Sequence, residues 1–207
     1  MDDLPPPDSP RITSDLLVSA YSQGIFPMAD DESGEVHWFQ PDPRGIIPLD
    51  RFRVPASLSR RVRSGRFKIT IDTCFEEVMR ECSLARSEEN GSWMTEQLLG
   101  AYCDLHDRGA AHSLEAWRDG RLVGGVYGVH LGGAFFGESM FSRPKIGGTD
   151  ASKVCLVHLV ERLQARGFSL LDTQYVNEHL RQFGCVEIPG ESYAELLRIA
   201  LGESIEF

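Results

Sequence analysis

Several features that would assign this 207-residue chain to a large class of proteins are missing. No apolar run approaches the roughly 20 residues that a membrane-spanning helix needs, so no span is expected. The start of the chain is acidic and proline-rich, and it does not read as a signal peptide. The five cysteines (Cys74, Cys82, Cys103, Cys155 and Cys185) are an odd number with no C-x-x-C pair. They read as reduced, mostly buried thiols of a cytoplasmic protein, not as a disulfide framework. Six histidines are scattered without H-E-x-x-H or a Cys/His ligand set, so no metal site is expected. The glycine-containing stretch IGGTDASK (146–153) does not meet the spacing of a Walker A loop.

Positive charge is scarce overall, and the formal net charge is −10. That balance alone argues against a nucleic-acid partner, but the distribution argues the other way. Arg51, Arg53, Arg60, Arg61, Arg63, Arg66 and Lys68 fall within one stretch that contains no acid. Such a basic surface on an acidic body suits an anionic partner held at one place. A solvated helix face would give the same pattern.

What the chain does have is a hydrophobic fraction of 42%, enough for a sizeable core. Helical spacing is expected from Thr13 to Gly24, around residues 56–63, over 74–84, after Thr95, over 150–166 and over 192–201. Strands are expected at 45–49, 67–71, 112–118, 121–130 and 134–141, with Asp119-Gly120 as a two-residue hairpin turn. Residues 37–44 carry too much proline for a central strand. An antiparallel meander followed by a helix and a further strand implies an α+β fold with a mixed sheet.

The rest is organised around residues 168–189. An apolar run ends at Leu171, and Asp172, Gln174, Asn177 and Glu178 follow at once. A helical turn then runs to Gly184, and a short strand is expected at 185–188. A carboxylate and two amides just past a strand end is where an α/β protein often places its chemistry. The spacing fits equally well with Asp172 capping the next helix and Gln174 lying on the surface.

Seven segments carry a family resemblance: YSQGIFP (21–27), WFQPDPR (38–44), HSLEAW (112–117), GGVYG (124–128), GESMFSR (137–143), ASK (151–153) and LDTQ (171–174). In this order and combination the chain resembles the bacterial leucyl/phenylalanyl-tRNA–protein transferases. The resemblance covers nearly everything after residue 12. It implies a small N-terminal domain, residues 1–51, and a larger acyl-CoA N-acyltransferase-like domain, residues 52–207. It also implies transfer of Leu or Phe from Leu-tRNA or Phe-tRNA to proteins with N-terminal Arg or Lys; an apolar pocket for the donor would favour Leu and accept Phe and Met less well. The products would be marked for degradation through the N-end rule. No cofactor, no membrane and a monomer are the accompanying expectations.

The chemistry is consistent with that. An aminoacyl ester is already activated, so the enzyme must hold the ester against a neutral α-amine and needs no nucleophile of its own. The resemblance makes Asp172 and Gln174 the catalytic pair, with Asp172 polarising Gln174, and places Asn177 at the aminoacyl end. It puts Val126, Leu159, Leu163 and Leu171 around the transferred side chain, with Glu138 at the edge. Relatives often carry Met or Phe at the first three positions, so this wall is more aliphatic. Trp38 and Trp93 are the candidates to stack the terminal adenine, and Arg60, Arg61, Arg63 and Lys68 those to hold the tRNA. Two rivals remain at this point. One is an acyl-CoA-dependent enzyme, whose Q/R-x-x-G-x-G/A loop is missing here. The other is a non-catalytic adaptor for basic N-termini, which would have no use for the arginine cluster.

Overall fold

The computed structural model describes residues 11–30, 33–90 and 94–207, of which 85–90 as backbone only. The first helix, α1 (Ser14–Tyr21), starts where the Thr13 hydroxyl accepts the Leu16 N–H, and it buries Leu17, Ala20 and Tyr21. β1 (Phe26–Ala29) and β2 (Val36–Phe39) then pair antiparallel as a two-stranded sheet, with Pro27 opposite Trp38. The proline content that argues against a central strand is compatible with this ribbon, because a two-stranded sheet consists only of edges.

β3 (Arg44–Ile46) is shorter than the strand expected at 45–49, and the chain turns into a single 3₁₀ turn at Leu49–Arg51. The basic segment forms α2 (Ala56–Arg63), followed by β4 (Lys68–Ile71). α3 (Phe75–Asn90) runs past the end expected at 84. Residues 85–90 include Ala, Arg and Glu, types of high helix propensity, so the helix continues past the apolar spacing. α4 (Glu96–Asp107) is capped by Thr95 as expected. Three antiparallel strands follow, β5 (Ala111–Arg118), β6 (Arg121–Leu131) and β7 (Ala134–Ser142). Asp119 and Gly120 both take positive φ at the first hairpin, as a two-residue turn of the I′ kind requires. The chain closes with α5 (Ala151–Arg166), β8 (Leu170–Gln174), α6 (Glu178–Arg181), β9 (Val186–Ile188) and α7 (Gly190–Leu201).

The expected α+β class with a mixed sheet is what the chain forms. Seven strands lie in the order β4-β5-β6-β7-β8-β3-β9. Among the described residues only β7 and β8 pair in parallel, joined by the α5 crossover, and β3 runs antiparallel between β8 and β9. β3 therefore ties the N-terminal stretch into the large sheet. Alternation along the strands divides the core into two clusters. Tyr127, Phe136 and Leu170 face α1, α3, α4 and α7; Val126, Phe135 and Leu171 face α5. The start of α5 lies so close to β6 that a Cβ on Gly124 would sit 2.4 Å from that of Ala151. All five cysteines are free thiols, with Cys82, Cys155 and Cys185 buried. Among the described residues no helix is long and apolar enough to cross a membrane.

Candidate active site

β7 and β8 pair only where Ala134, Phe135 and Phe136 lie beside Leu170, Leu171 and Asp172. Beyond those residues the strands part, and each is bulged at the opening. In β7 the register passes over Glu138: Gly128 faces Gly137, and Tyr127 faces Ser139. In β8 it passes over Thr173: Ile46 faces Asp172, and Gly45 faces Gln174. Bulges re-aim side chains, and they concentrate next to active sites. These two bring Glu138 and Gln174 together across the gap, with Gln174 Nε2 donating to Glu138 Oε1 at 3.1 Å.

Gln174 sits at φ +58°, in the left-handed region, and Tyr175 N–H closes the turn on Thr173 C=O at 2.6 Å. Such a conformation in a non-glycine residue costs on the order of 1–3 kcal/mol and persists only where its surroundings hold it. β3 passes very close here. A Cβ on Gly45 would lie 2.6 Å from the Tyr175 carbonyl carbon, so glycine is required at 45.

The group that holds the turn is Asp172. Its Oδ1 accepts Gln174 N–H at 2.8 Å and Arg44 Nε at 3.0 Å. Its Oδ2 accepts Arg44 Nη2 at 2.7 Å and the Tyr193 hydroxyl at 2.5 Å. The Asp172 and Arg44 side chains are both 0% exposed. Arg44 Nη1 donates to Gly24 C=O at 2.7 Å, and its Cζ lies 4.6 Å from the Tyr193 ring centre and 5.2 Å from that of Phe26. Burial by itself would lower the Arg44 pKa, but the bonds and charge of Asp172 outweigh it, and the group stays charged. Burial, reinforced by the Asp172 charge, pushes the Tyr193 hydroxyl up, so it remains a donor.

Glu138 is the other carboxyl at the opening. The residue is half-buried by surface exposure, while its carboxyl packs among Tyr102, Tyr21 and Gln174. Tyr102 donates to Glu138 Oε2 at 3.5 Å, and the Tyr21 and Tyr102 hydroxyls are 2.6 Å apart. Burial pushes the Glu138 pKa up to about 8; the Asp172 charge adds to this, and the Tyr21 bond and Arg44 oppose it. Glu138 makes no ion pair among the described residues. Its charge therefore changes near neutral pH.

The remaining candidates fall in different places. Asn177 is exposed and its Oδ1 accepts Leu180 N–H at 2.8 Å, so the helix cap weighed for Asp172 is supplied by Asn177. Val126, Leu159, Leu163 and Leu171 are buried together on the α5 side, close-packed with Val123, Phe135 and Val160. The polar groups of Asp172 and Glu138 lie among residues of the other cluster. Trp38 is partly exposed on β2, and Trp93 lies outside the described residues. Arg60, Arg63 and Lys68 are exposed, but Arg61 is half-buried. It bonds Asp150 at 3.1 Å and Thr149 C=O at 3.2 Å, and Arg66 and Arg118 hold Gly147 C=O in the same loop. Arg44, Tyr193, Tyr21 and Tyr102 are the groups that sequence did not single out. Their one signal is the presence of Arg44 and Tyr21 at the ends of two of the resemblance segments, because their partners lie far along the chain.

An amide held by a titrating carboxyl at the splay of a mixed sheet suits transfer of an activated acyl group to an amine. It has the makings of a transferase site that adds no nucleophile of its own. Among the described residues no group of three His, Cys, Asp or Glu side chains is placed to hold a metal ion. The family model for leucyl/phenylalanyl-tRNA protein transferase matches residues 46–198, and that for its N-terminal domain matches residues 11–42. A leucyl/phenylalanyl-tRNA–protein transferase of Rhizorhabdus wittichii is 52% identical over 92% of this chain and 76% of its own. One from Paramagnetospirillum magneticum is 52% identical over 95% of this chain and 92% of its own. This chain belongs to the leucyl/phenylalanyl-tRNA–protein transferase family. A solved ribosomal-protein-alanine N-acetyltransferase from Brucella melitensis is 19% identical, with a TM-score of 0.38 over 65% of this chain and 90% of its own. At that distance nothing about the site carries over.

Asp172→Asn tests the buried pair. It leaves the Arg44 charge with a neutral partner and is expected to cost about 3–5 kcal/mol in urea unfolding, the scale of a broken buried ion pair. A helix cap would lose almost nothing, since Asn caps as well as Asp.

Proposed function

We propose that the chain transfers Leu, and less readily Phe or Met, from charged tRNA to the α-amino group of proteins beginning with Arg or Lys. The observation that carries the chemistry is the Gln174 amide, held in a strained turn by Asp172 and bonded to Glu138. With Nε2 engaged by Glu138, the Gln174 carbonyl oxygen is turned to the far end of the amide. There it accepts an N–H of the incoming amine and aims the nitrogen lone pair at the ester carbonyl. The new C–N bond forms as the ester C–O bond breaks. Glu138, as carboxylate, draws the proton the amine gives up through the Gln174 amide, whose oxygen gains it as Nε2 releases one, and the reverse shift returns it to the departing ribose oxygen. Asp172, all of whose oxygens are already bonded, holds the turn and stays out of the proton path.

The aliphatic group Val126, Leu159, Leu163 and Leu171 is retained as the candidate wall for an apolar donor side chain, which would have to part its close packing to enter from the opening between β7 and β8. Trp38 and Trp93 are retained as candidates to stack the terminal adenine, Asn177 as a contact to the aminoacyl end, and Arg60, Arg63 and Lys68 as phosphate contacts. Arg61 serves the loop at 147–150 as much as any phosphate. No cofactor is needed, because the ester supplies the driving force. A charged-tRNA substrate and free thiols suit a cytoplasmic monomer, and the products would enter N-end-rule degradation.

The test is incubation with labelled Leu-tRNA and an Arg-initiated peptide in the absence of ATP and CoA. Label in the peptide is expected; its absence would remove the proposal. In single turnovers the rate should climb towards pH 8, as Glu138 ionises and an α-amine of pKa near 8 becomes neutral. Glu138→Gln should lower that rate by about 10²–10⁴-fold, the range for a lost proton acceptor, and make the climb shallower.

The exposed arginines give a separate expectation. Arg60→Ala and Arg63→Ala should weaken charged-tRNA binding and flatten its salt dependence, while sparing transfer from an aminoacyl-adenosine donor that lacks the tRNA phosphates. Equal losses with both donors would move these residues from the tRNA surface to the reacting centre.

A further inference from the structure

We infer that Arg44 and Tyr193 are positioning residues for the transfer step, acting through Asp172 on the turn that presents Gln174. The inference rests on the transfer reading above and goes beyond it, because neither side chain has been given a part in the reaction.

A carboxylate offers about four lone-pair positions. Asp172 has four donors on them: Arg44 Nε, Arg44 Nη2, the Tyr193 hydroxyl and the Gln174 N–H. It is also 0% exposed. No position remains for a substrate amine, nor for the Gln174 side chain, whose Nε2 goes to Glu138. The one link from Asp172 to the reacting amide is the backbone N–H of Gln174. Apart from its charge, which reaches Glu138, the influence of Asp172 on rate passes through the geometry of that turn.

Geometry of that kind has to be imposed from outside the turn. Arg44 comes from β3, and it is fastened at once to Gly24 C=O before β1, to the Phe26 ring in β1 and to the Tyr193 ring in α7. Tyr193 in turn is pressed on by the chain at Gly24, where a Cβ would come within 2.8 Å of its Cε1. The two residues thus carry the position of the turn before β1, of β1, β3 and α7 to one carboxylate, and from there to Gln174. A buried Arg–Asp pair is not needed for stability as such, since well-packed apolar replacements are often as stable or more so. Its location beneath the strained turn is what a positioning role requires. Arg, with its two-pronged planar grip, can fix a carboxylate's orientation as well as its charge.

The experiment uses the full chain with Leu-charged tRNA and an Arg-initiated peptide. Tyr193→Phe removes one hydroxyl and keeps the ring over Arg44, so the fold should survive. Its single-turnover rate at saturating donor should fall by about 10-fold to 10²-fold, the scale of a small misplacement of a reacting group, with KM for charged tRNA unchanged. Arg44→Lys, which keeps the charge and loses the two-pronged grip, should show the same split between kcat and KM. In a Gln174→Ala background, Tyr193→Phe should cost no further rate, because the side chain it positions is gone. A full-rate Tyr193→Phe, or a loss that persists undiminished in the Gln174→Ala background, overturns the inference while leaving transfer intact. Absence of transfer by the wild-type chain overturns both.

Discussion

The site depends on a buried ion pair between two residues 128 positions apart, Arg44 and Asp172. Removing both charges from water is costly, and only good geometry with every lone pair used makes such a pair tolerable. Here that condition is met. Arg44 stacks against two aromatic rings and donates to Asp172 twice and to Gly24 once, while Tyr193 and the Gln174 N–H complete the carboxylate. Those bonds are made by segments from both ends of the chain, so the local fold around Gln174 is set by the tertiary structure.

Two carboxyls a short distance apart then acquire different characters. Asp172 has three donor residues around it, one of them a cation, and serves as a fixed brace. Glu138 has hydroxyl and amide neighbours, no ion pair among the described residues, and a burial cost that raises its pKa to about 8. A carboxyl whose pKa burial raises towards neutrality suits proton transfer, whereas one with every lone pair bonded suits a structural role. In the present reading Asp172 fixes the Gln174 backbone and Glu138 exchanges the proton.

Much of the scaffold could be read in the sequence because its signals are local. Alternation in 112–141, the Asp119-Gly120 turn, the Thr95 cap and the helical spacing of 151–166 each act within a few residues, and each is present in the fold. The residue types at the site were also legible, since Asp172, Gln174 and Glu138 all lie at the opening between β7 and β8. Their division of labour was not. Bulges at Glu138 and Thr173 leave no mark on composition, and the partner of Asp172 comes from a segment that reads as too proline-rich for a central strand. The aliphatic group and the polar groups could not be assigned to different faces of the sheet without knowing where those bulges fall. The β1–β2 ribbon was hidden for a related reason: proline rules out a central strand but not a two-stranded edge.

The most direct test of this account is a carboxyl ¹³C titration of the glutamates in the intact protein, with Glu138→Gln used to assign the signal. The account expects one glutamate resonance, absent from the variant, to titrate at about pH 8. Titration of Glu138 in the ordinary carboxylate range, near pH 4.3, would contradict it and return the proton to another group.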